Sequence, residues 1–165
     1  MKIIAGLLTP TSGTVEFQIG KESLDKEARR AHIGYVSPEL ALYQELTAAE
    51  NLNFFAEAKG VDLPRTELID LLTLVGLKGR GRDLVGSYSS GMRQRLKYAF
   101  ALLGNPPVLL LDEPTANLDE SGMATVQNIV LKQRSRQDGG LAIIATNEPR
   151  ELEWSENRIH LEPAT

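Results

Sequence analysis

Residues 108–112, Val-Leu-Leu-Leu-Asp, constrain the fold more than any other stretch. Successive side chains of a strand point to opposite faces of its sheet, so four apolar residues in a row leave neither face for water. Such a run suits a parallel strand covered on both sides, and parallel strands need long crossovers, usually helical. Residues 121–138 carry a helical pattern, Gly139-Gly140 breaks it, and Leu-Ala-Ile-Ile-Ala-Thr at 141–146 is a second apolar run. By the crossover rule the two runs are parallel neighbours. Both are expected to be fully buried, in an α/β layer with helices packed on the sheet.

The rest of the chain is read around that core. Residues 1–8 look like a helix already under way, followed by a turn at Gly13, a strand over 14–19 and another over 33–36 that Pro38 stops. Thr47 and Glu50 have the spacing of a capping box, and Leu52, Phe55 and Ala56 share one face behind it. A second helix runs from about 64 to 75 and ends at Gly76. Residues 78–86 form a loop with three basic residues. The helix after Ser89 carries Met92, Leu96, Ala99, Phe100 and Leu103 as an apolar stripe, with Arg93 and Lys97 outside it. Residues 157–161 offer a final edge strand. A chain that opens inside an element, with no strand ahead of it, reads as part of a larger domain.

Composition removes several kinds of chemistry. There is no cysteine, which excludes disulfides, thiolate catalysis and cysteine-bound metals. His32 and His160 lack any metal-ligand spacing. A net charge of −4 argues against a surface coated with nucleic acid. No apolar run approaches the ~20 residues that a membrane crossing needs, and a cytoplasmic protein is expected.

What remains is the end of the 108–112 strand. Asp112 and Glu113 stand at the C-terminal edge of the sheet, where α/β proteins bind ligands. Being adjacent, they point apart unless the chain twists after Asp112. The division of labour that fits is Asp112 on magnesium through water, with Glu113 orienting or deprotonating an attacking water. The plainer alternative is a solvated acidic turn. Ser89-Ser90-Gly91 open the striped helix, and two readings stand there also. The serines cap the helix, or they and the free N–H groups bind an anion at its positive end.

The stretch Ser-Tyr-Ser-Ser-Gly-Met-Arg-Gln-Arg at 87–95, followed by Asp112 and Glu-Pro-Thr-Ala-Asn-Leu-Asp at 113–119, resembles the ATP-binding cassette ATPase family, in particular the nucleotide-binding subunits of bacterial ABC transporters. The likeness runs from residue 1 to about 162. It implies a P-loop-NTPase-like parallel sheet core, incomplete, making residues 1–165 a partial ATPase domain with a helical subdomain inserted over about 46–104. Residues Tyr88 to Met92, with Ser89, Ser90 and Gly91 between them, stand for the signature that touches the γ-phosphate held by the opposite subunit of a head-to-tail dimer. Asp112 resembles the Walker B aspartate that serves magnesium, and Glu113 the catalytic glutamate. Ala116 to Asp119 occupy the loop that lines the dimer seam. The resemblance further implies ATP and Mg²⁺ as ligands and a membrane-spanning transporter subunit as partner. The domain would then lie at the inner face of the cell membrane, with no nucleic acid involved.

Departures from the family pattern are as informative. No G-x-x-x-x-G-K-[ST] phosphate loop occurs in the 165 residues, and residue 1 aligns just past the place where it would close. That loop supplies N–H donors, a lysine and the magnesium hydroxyl. Losing one partner of a buried charge costs roughly 2–5 kcal/mol, against about 8 kcal/mol in a whole micromolar site. The chain is therefore expected to be truncated at its amino end and, by itself, not to bind ATP usefully. Pro38 replaces the family's glutamine, and Glu39 beside it is a substitute metal ligand only if the loop is re-threaded. Asn147 replaces the switch histidine, and an amide donates a hydrogen bond but takes up no proton near neutral pH. Met92 and Ser90 are milder changes within the signature. Three functions fit: a transporter ATPase subunit, a catalytically dead module that only binds a transporter partner, and a soluble translation- or repair-type cassette ATPase.

Overall fold

The computed structural model describes residues 1–161. In chain order the elements are β1 (Gln18–Ile19), β2 (Glu22–Ser23), α1 (Lys26–Ala31), β3 (Ile33–Val36), α2 (Ala48–Ala58) and α3 (Arg65–Leu74). They continue with α4 (Ser90–Ala101), β4 (Val108–Asp112), α5 (Glu120–Arg134) and β5 (Leu141–Ala145). Short 3-10 segments lie at Val85–Ser87 and Pro149–Trp154. The main sheet is parallel, in the order β3-β4-β5, with Tyr35 opposite Leu110 and Leu110 opposite Ile143.

β4 is the central strand, and its alternation separates two apolar clusters. Leu109 and Leu111 face one way, with Val36, and join Leu52 of α2, Leu72 of α3, Leu96 of α4 and Ile129 of α5. Val108 and Leu110 face the other way, with Ile33 and Ala5, and are flanked by Met1, Ile4, Phe17 and Ile143. Leu110 and Leu111 are 0% exposed, as a strand covered on both faces requires. The turn entering β4 is held from α5, whose buried Gln133 donates through Nε2 to the carbonyls of Pro106 (3.1 Å) and Pro107 (2.7 Å).

Local chemistry accounts for the helices. The capping box at Thr47 forms in both directions: Glu50 N–H donates to Thr47 Oγ1, and Thr47 N–H donates to Glu50 Oε2. Asp25 caps α1 by accepting from Glu27 and Ala28 N–H at 2.9 and 2.8 Å; this short helix was not foreseen. No described helix is long and apolar enough to cross a membrane.

Several expectations fail for identifiable reasons. Residues 1–8 form hydrogen-bonded turns, not a helix, because Gly6 takes φ +73° after barely one turn. The strand expected over 14–19 shrinks to Gln18–Ile19, paired antiparallel with β2; ahead of it Phe17 O still accepts from Leu24 N–H at 2.8 Å, but 14–16 have no backbone partner among the described residues. Residues 157–161 form no strand, and Ile159 and Leu161 are exposed. β5 is not fully buried: Leu141 is 50% exposed and the residues after it are half-buried, because among the described residues β5 pairs with β4 alone and forms the sheet edge. On α4 the stripe is only part of the buried surface. Met92 and Phe100 are half-buried while Gln94 and Tyr98 are buried, since α4 packs at once on β3, α2 and α3.

The tightest point between α4 and the sheet is at Gly34, where an added Cβ would lie 2.1 Å from the carbonyl oxygen of Ala101 and 2.7 Å from Leu109 Cδ2. Backbone cannot yield as a flexible side chain does. Gly34→Ala is expected to destabilise the fold by about 1–3 kcal/mol in equilibrium urea denaturation. A change near zero would mean that α4 does not approach β3 so closely.

Candidate functional site at the end of the central strand

Asp112 follows Val108 and Leu110 in the alternation of β4 and lies on their side of the sheet. Its Oδ2 accepts a hydrogen bond from the phenol of Tyr35 at 3.1 Å. Glu113 would point to the opposite side, but its φ is +50°, the left-handed region. The chain thus twists after Asp112 and does not continue as an extended strand. For an L-residue this conformation costs roughly 1–2 kcal/mol, and the surroundings hold it. Glu113 N–H donates to Ala145 O at 2.9 Å, and its carbonyl accepts from Ala116 N–H at 3.2 Å. Just beyond, the buried Tyr98 donates its phenol to Pro114 O at 2.6 Å. The side chain is held too, since Asn147 Nδ2 donates to Glu113 Oε1 at 3.1 Å.

Tyr35 went unnoticed in the sequence because its partner lies 77 residues away. Only the register, Tyr35 beside Leu110, aims it at Asp112. Its phenol is pushed up to about 12, by burial first, then by the charge and hydrogen bond of Asp112, with Glu39 adding and a Ser37 hydrogen bond opposing. Tyr35 is therefore a protonated donor throughout the neutral range. Burial, and after it the charge of Glu151, raises Tyr98 well above the ordinary phenol value, so it also stays a donor.

The second group of sequence-marked residues lies at the start of α4. Ser89 is the cap, accepting from Met92 N–H at 3.2 Å, so its oxygen is already engaged and the capping reading holds for it. Ser90 lies exposed in the first turn, and Gly91 and Met92 are half-buried. Arg93 donates to Tyr88 O and Arg95 to Gly76 O at 2.9 Å. Both arginines are thus drawn to backbone carbonyls. A Cβ on Gly91 would lie 3.3 Å from Asn117 O, so the 116–119 loop rests on this helix end. Asp119 caps α5, accepting from Gly122 N–H at 2.8 Å.

Between the two groups runs the loop after β3. Lys97 donates to Ser37 O (3.2 Å) and Pro38 O (2.8 Å), tying this loop to α4, and burial lowers the pKa of its amine. Glu39 turns outward and pairs with Lys2 at 2.7 Å. Among the described residues no three histidine, cysteine, aspartate or glutamate side chains converge on a metal position. Asp112, Glu113 and Asn147 are brought together at one end of the sheet. No hydrogen bond among the described residues joins them to Ser89, Ser90 or Gly91.

A parallel sheet whose central strand ends in two adjacent carboxylates, one held by Tyr35 and the other by Asn147, is the layout these residues form. Comparison with known proteins identifies the family. A family model described as "ABC transporter" matches residues 1–116. The chain is 37% identical over 162 residues to the ABC transporter ATP-binding protein YhcH of Bacillus subtilis (strain 168), covering 96% of this chain and 52% of that protein. It is 35% identical over 164 residues to the cytochrome c biogenesis ATP-binding export protein CcmA of Xylella fastidiosa (strain 9a5c), covering 99% of this chain and 72% of that one. Among solved structures, the dimeric post-hydrolysis state of the ATP-binding cassette MJ0796 bound to ADP and Pi superposes with a TM-score of 0.77 at 27% identity, over 94% of this chain and 71% of that chain. The chain belongs to the ABC transporter family. It spans about half the length of YhcH.

The Tyr35–Asp112 contact has a pH signature. A raised folded-state pKa gives stabilisation that is fully present below the ordinary phenol value of 10.0 and is lost as pH rises through about 12. Tyr35→Phe is expected to remove one phenol ionising near 12 from the ultraviolet titration and to flatten the loss of stability across that window. A lost phenol that ionises near 10.0 would place Tyr35 away from Asp112.

Proposed function

We propose that this chain carries the hydrolytic and signature portion of the nucleotide-binding subunit of an ABC transporter, coupling ATP binding and hydrolysis to transport in a cassette that also has a phosphate-binding loop. The observation that carries this reading is the left-handed turn at Glu113. It sets the second carboxylate against Asn147 while Asp112 stays on Tyr35. The donor set fits a magnesium ion bound through water: Asp112 has one oxygen engaged by a neutral phenol and the other available. When bound, magnesium offsets phosphate charge.

The remaining roles belong to side chains of this chain. Glu113 orients the attacking water or accepts its proton. Asn147 holds that carboxylate by its amide and cannot itself carry the proton. Ser90 and Gly91, with the free N–H groups of α4, meet the phosphate of a second cassette in a head-to-tail dimer, while Ser89 and Asp119 hold the two helix ends that border the seam. Met92 fills the fifth and last signature position, that of the family's glutamine. Glu39, paired with Lys2, serves the metal only if that pair opens. Residues 1–165 form a partial domain, and about 46–104 are the helical subdomain that faces the membrane-spanning partner. The domain sits at the inner face of the membrane with no nucleic acid. Dimerisation draws support from the dimeric MJ0796 cassette, and the transporter role from relatives such as the lantibiotic transport protein SrtF of Streptococcus pyogenes.

A catalytically dead, partner-binding module is the second reading, favoured by the absence of a phosphate loop from the 165 residues. Asp112 and Glu113 would repel an uncradled triphosphate. Isothermal titration of the chain alone is therefore expected to show no saturable Mg-ATP binding up to about a millimolar, equivalent to roughly 4 kcal/mol. Joined to the phosphate-loop segment of YhcH, the chain is expected to hydrolyse ATP. In that chimera Glu113→Gln should slow turnover by about 10²–10⁴ with nucleotide still bound, whereas Asp112→Asn should weaken Mg-ATP binding as well. Turnover by Glu113→Gln within twofold of its parent would refute these roles, and an inert chimera that binds ATP would favour the dead module.

A further inference from the structure

Behind Glu113 lies a buried carboxylate that the scheme above leaves unused. Glu151 is 2% exposed and sits on the 3-10 segment Pro149–Trp154, four residues past Asn147. Its Oε1 accepts twice from Thr115, from the backbone N–H at 3.1 Å and from the hydroxyl. Its Oε2 has no partner. A carboxylate is an expensive way to fill a core, and leaving half its acceptor capacity unsatisfied makes it more so. A residue that only packed there would be better as leucine. What the carboxylate provides is a grip on Thr115, two positions beyond Glu113.

Four contacts hold the 113–115 turn. Ala145 O takes the Glu113 N–H, Asn147 holds the Glu113 side chain, Tyr98 holds Pro114 O and Glu151 holds Thr115. Three of the four come from residues 145–151. The segment leaving β5 is therefore laced to the turn leaving β4 at its start, its middle and its end. Between residues 147 and 151 nothing else among the described residues joins the two segments by hydrogen bond.

We propose that Glu151 is a positioning residue: by gripping Thr115 it sets the spacing of the two strand exits, so that the left-handed turn at Glu113 and the Asn147–Glu113 hydrogen bond form together. Its bearing on hydrolysis rests on the role proposed for Glu113, but the coupling itself is a property of the 165-residue chain without nucleotide.

The test uses that chain, labelled with ¹⁵N. The side-chain NH₂ pair of Asn147, assigned by its disappearance in Asn147→Asp, reports the bond to Glu113, and Glu113→Ala marks where the pair moves when that bond is absent. In Glu151→Leu the pair is expected to move toward the Glu113→Ala position, with Thr115 amide exchange at least tenfold faster. Glu151→Gln keeps an acceptor oxygen and should restore both readouts most of the way. If Glu151→Leu does not fold, Thr115→Val removes the hydroxyl contact alone and should move the Asn147 pair in the same direction by a smaller amount. A folded Glu151→Leu protein that melts earlier but leaves the Asn147 pair in place would reduce Glu151 to a packing residue and overturn the proposal, as would a Thr115→Val protein with an unmoved pair. Neither readout involves ATP, so failure of the coupling and failure of the ATPase reading are separately visible.

Discussion

Everything in this fold hangs on the burial of β4 from all sides. Both of its hydrogen-bonding edges are taken, by β3 and β5. Both of its faces are apolar, one against the helices and the other against residues near the amino end. A strand so enclosed can meet polar chemistry only where it ends. The site is therefore set by where the sheet stops, and its geometry is inherited from the packing of Leu109, Leu110 and Leu111. Gly34, Gln133 and Lys97 act toward the same result by setting the distance of α4, the entry turn and the neighbouring loop.

The exit of β4 then solves a problem that strand geometry creates. Adjacent carboxylates on an extended chain diverge, and a single residue with φ +50° re-aims the second one. Such a conformation persists only where its surroundings over-determine it. Here backbone, a buried phenol, a side-chain amide and a buried carboxylate all contact three consecutive residues. The cost of the turn is local, and the contacts that meet it come from elements far apart in sequence.

That distribution explains what could be read from the sequence. The apolar run of β4 and the capping box at Thr47 are local signals, and each appears where expected; the helix expected over 121–138 instead ends at Arg134, five residues before Gly139-Gly140, with Ser135 as its C-cap. The position of Asp112 and Glu113 at the sheet edge followed from the same run. The roles of Tyr35, Lys97 and Glu151 are not legible in the sequence, because each acts through a distant partner: 77 positions away for Tyr35, 60 for Lys97 and 36 for Glu151. A strand period gives the face of a residue but not its neighbour across the ladder. The two strands missing near the termini share one cause: residues 14–16 and 157–161 have the composition of strands, and a strand exists only with a partner. The conditional reading of Glu113 was as far as pattern could go, since a left-handed glutamate has no signature in sequence.

The account therefore rests on the backbone of one residue, and that backbone can be tested without any ligand. Glu113→Gly and Glu113→Ala both delete the carboxylate and its bond to Asn147, so that loss cancels between them. At an ordinary position glycine is the less stable of the two by roughly 0.5–1 kcal/mol, whereas in the left-handed region alanine carries a penalty of about 1–2 kcal/mol that glycine escapes. Urea denaturation of the two variants side by side is expected to show Glu113→Gly more stable than Glu113→Ala by about 1 kcal/mol. Equal stability, or alanine ahead, would mean that the chain leaves β4 extended, with its two carboxylates pointing apart.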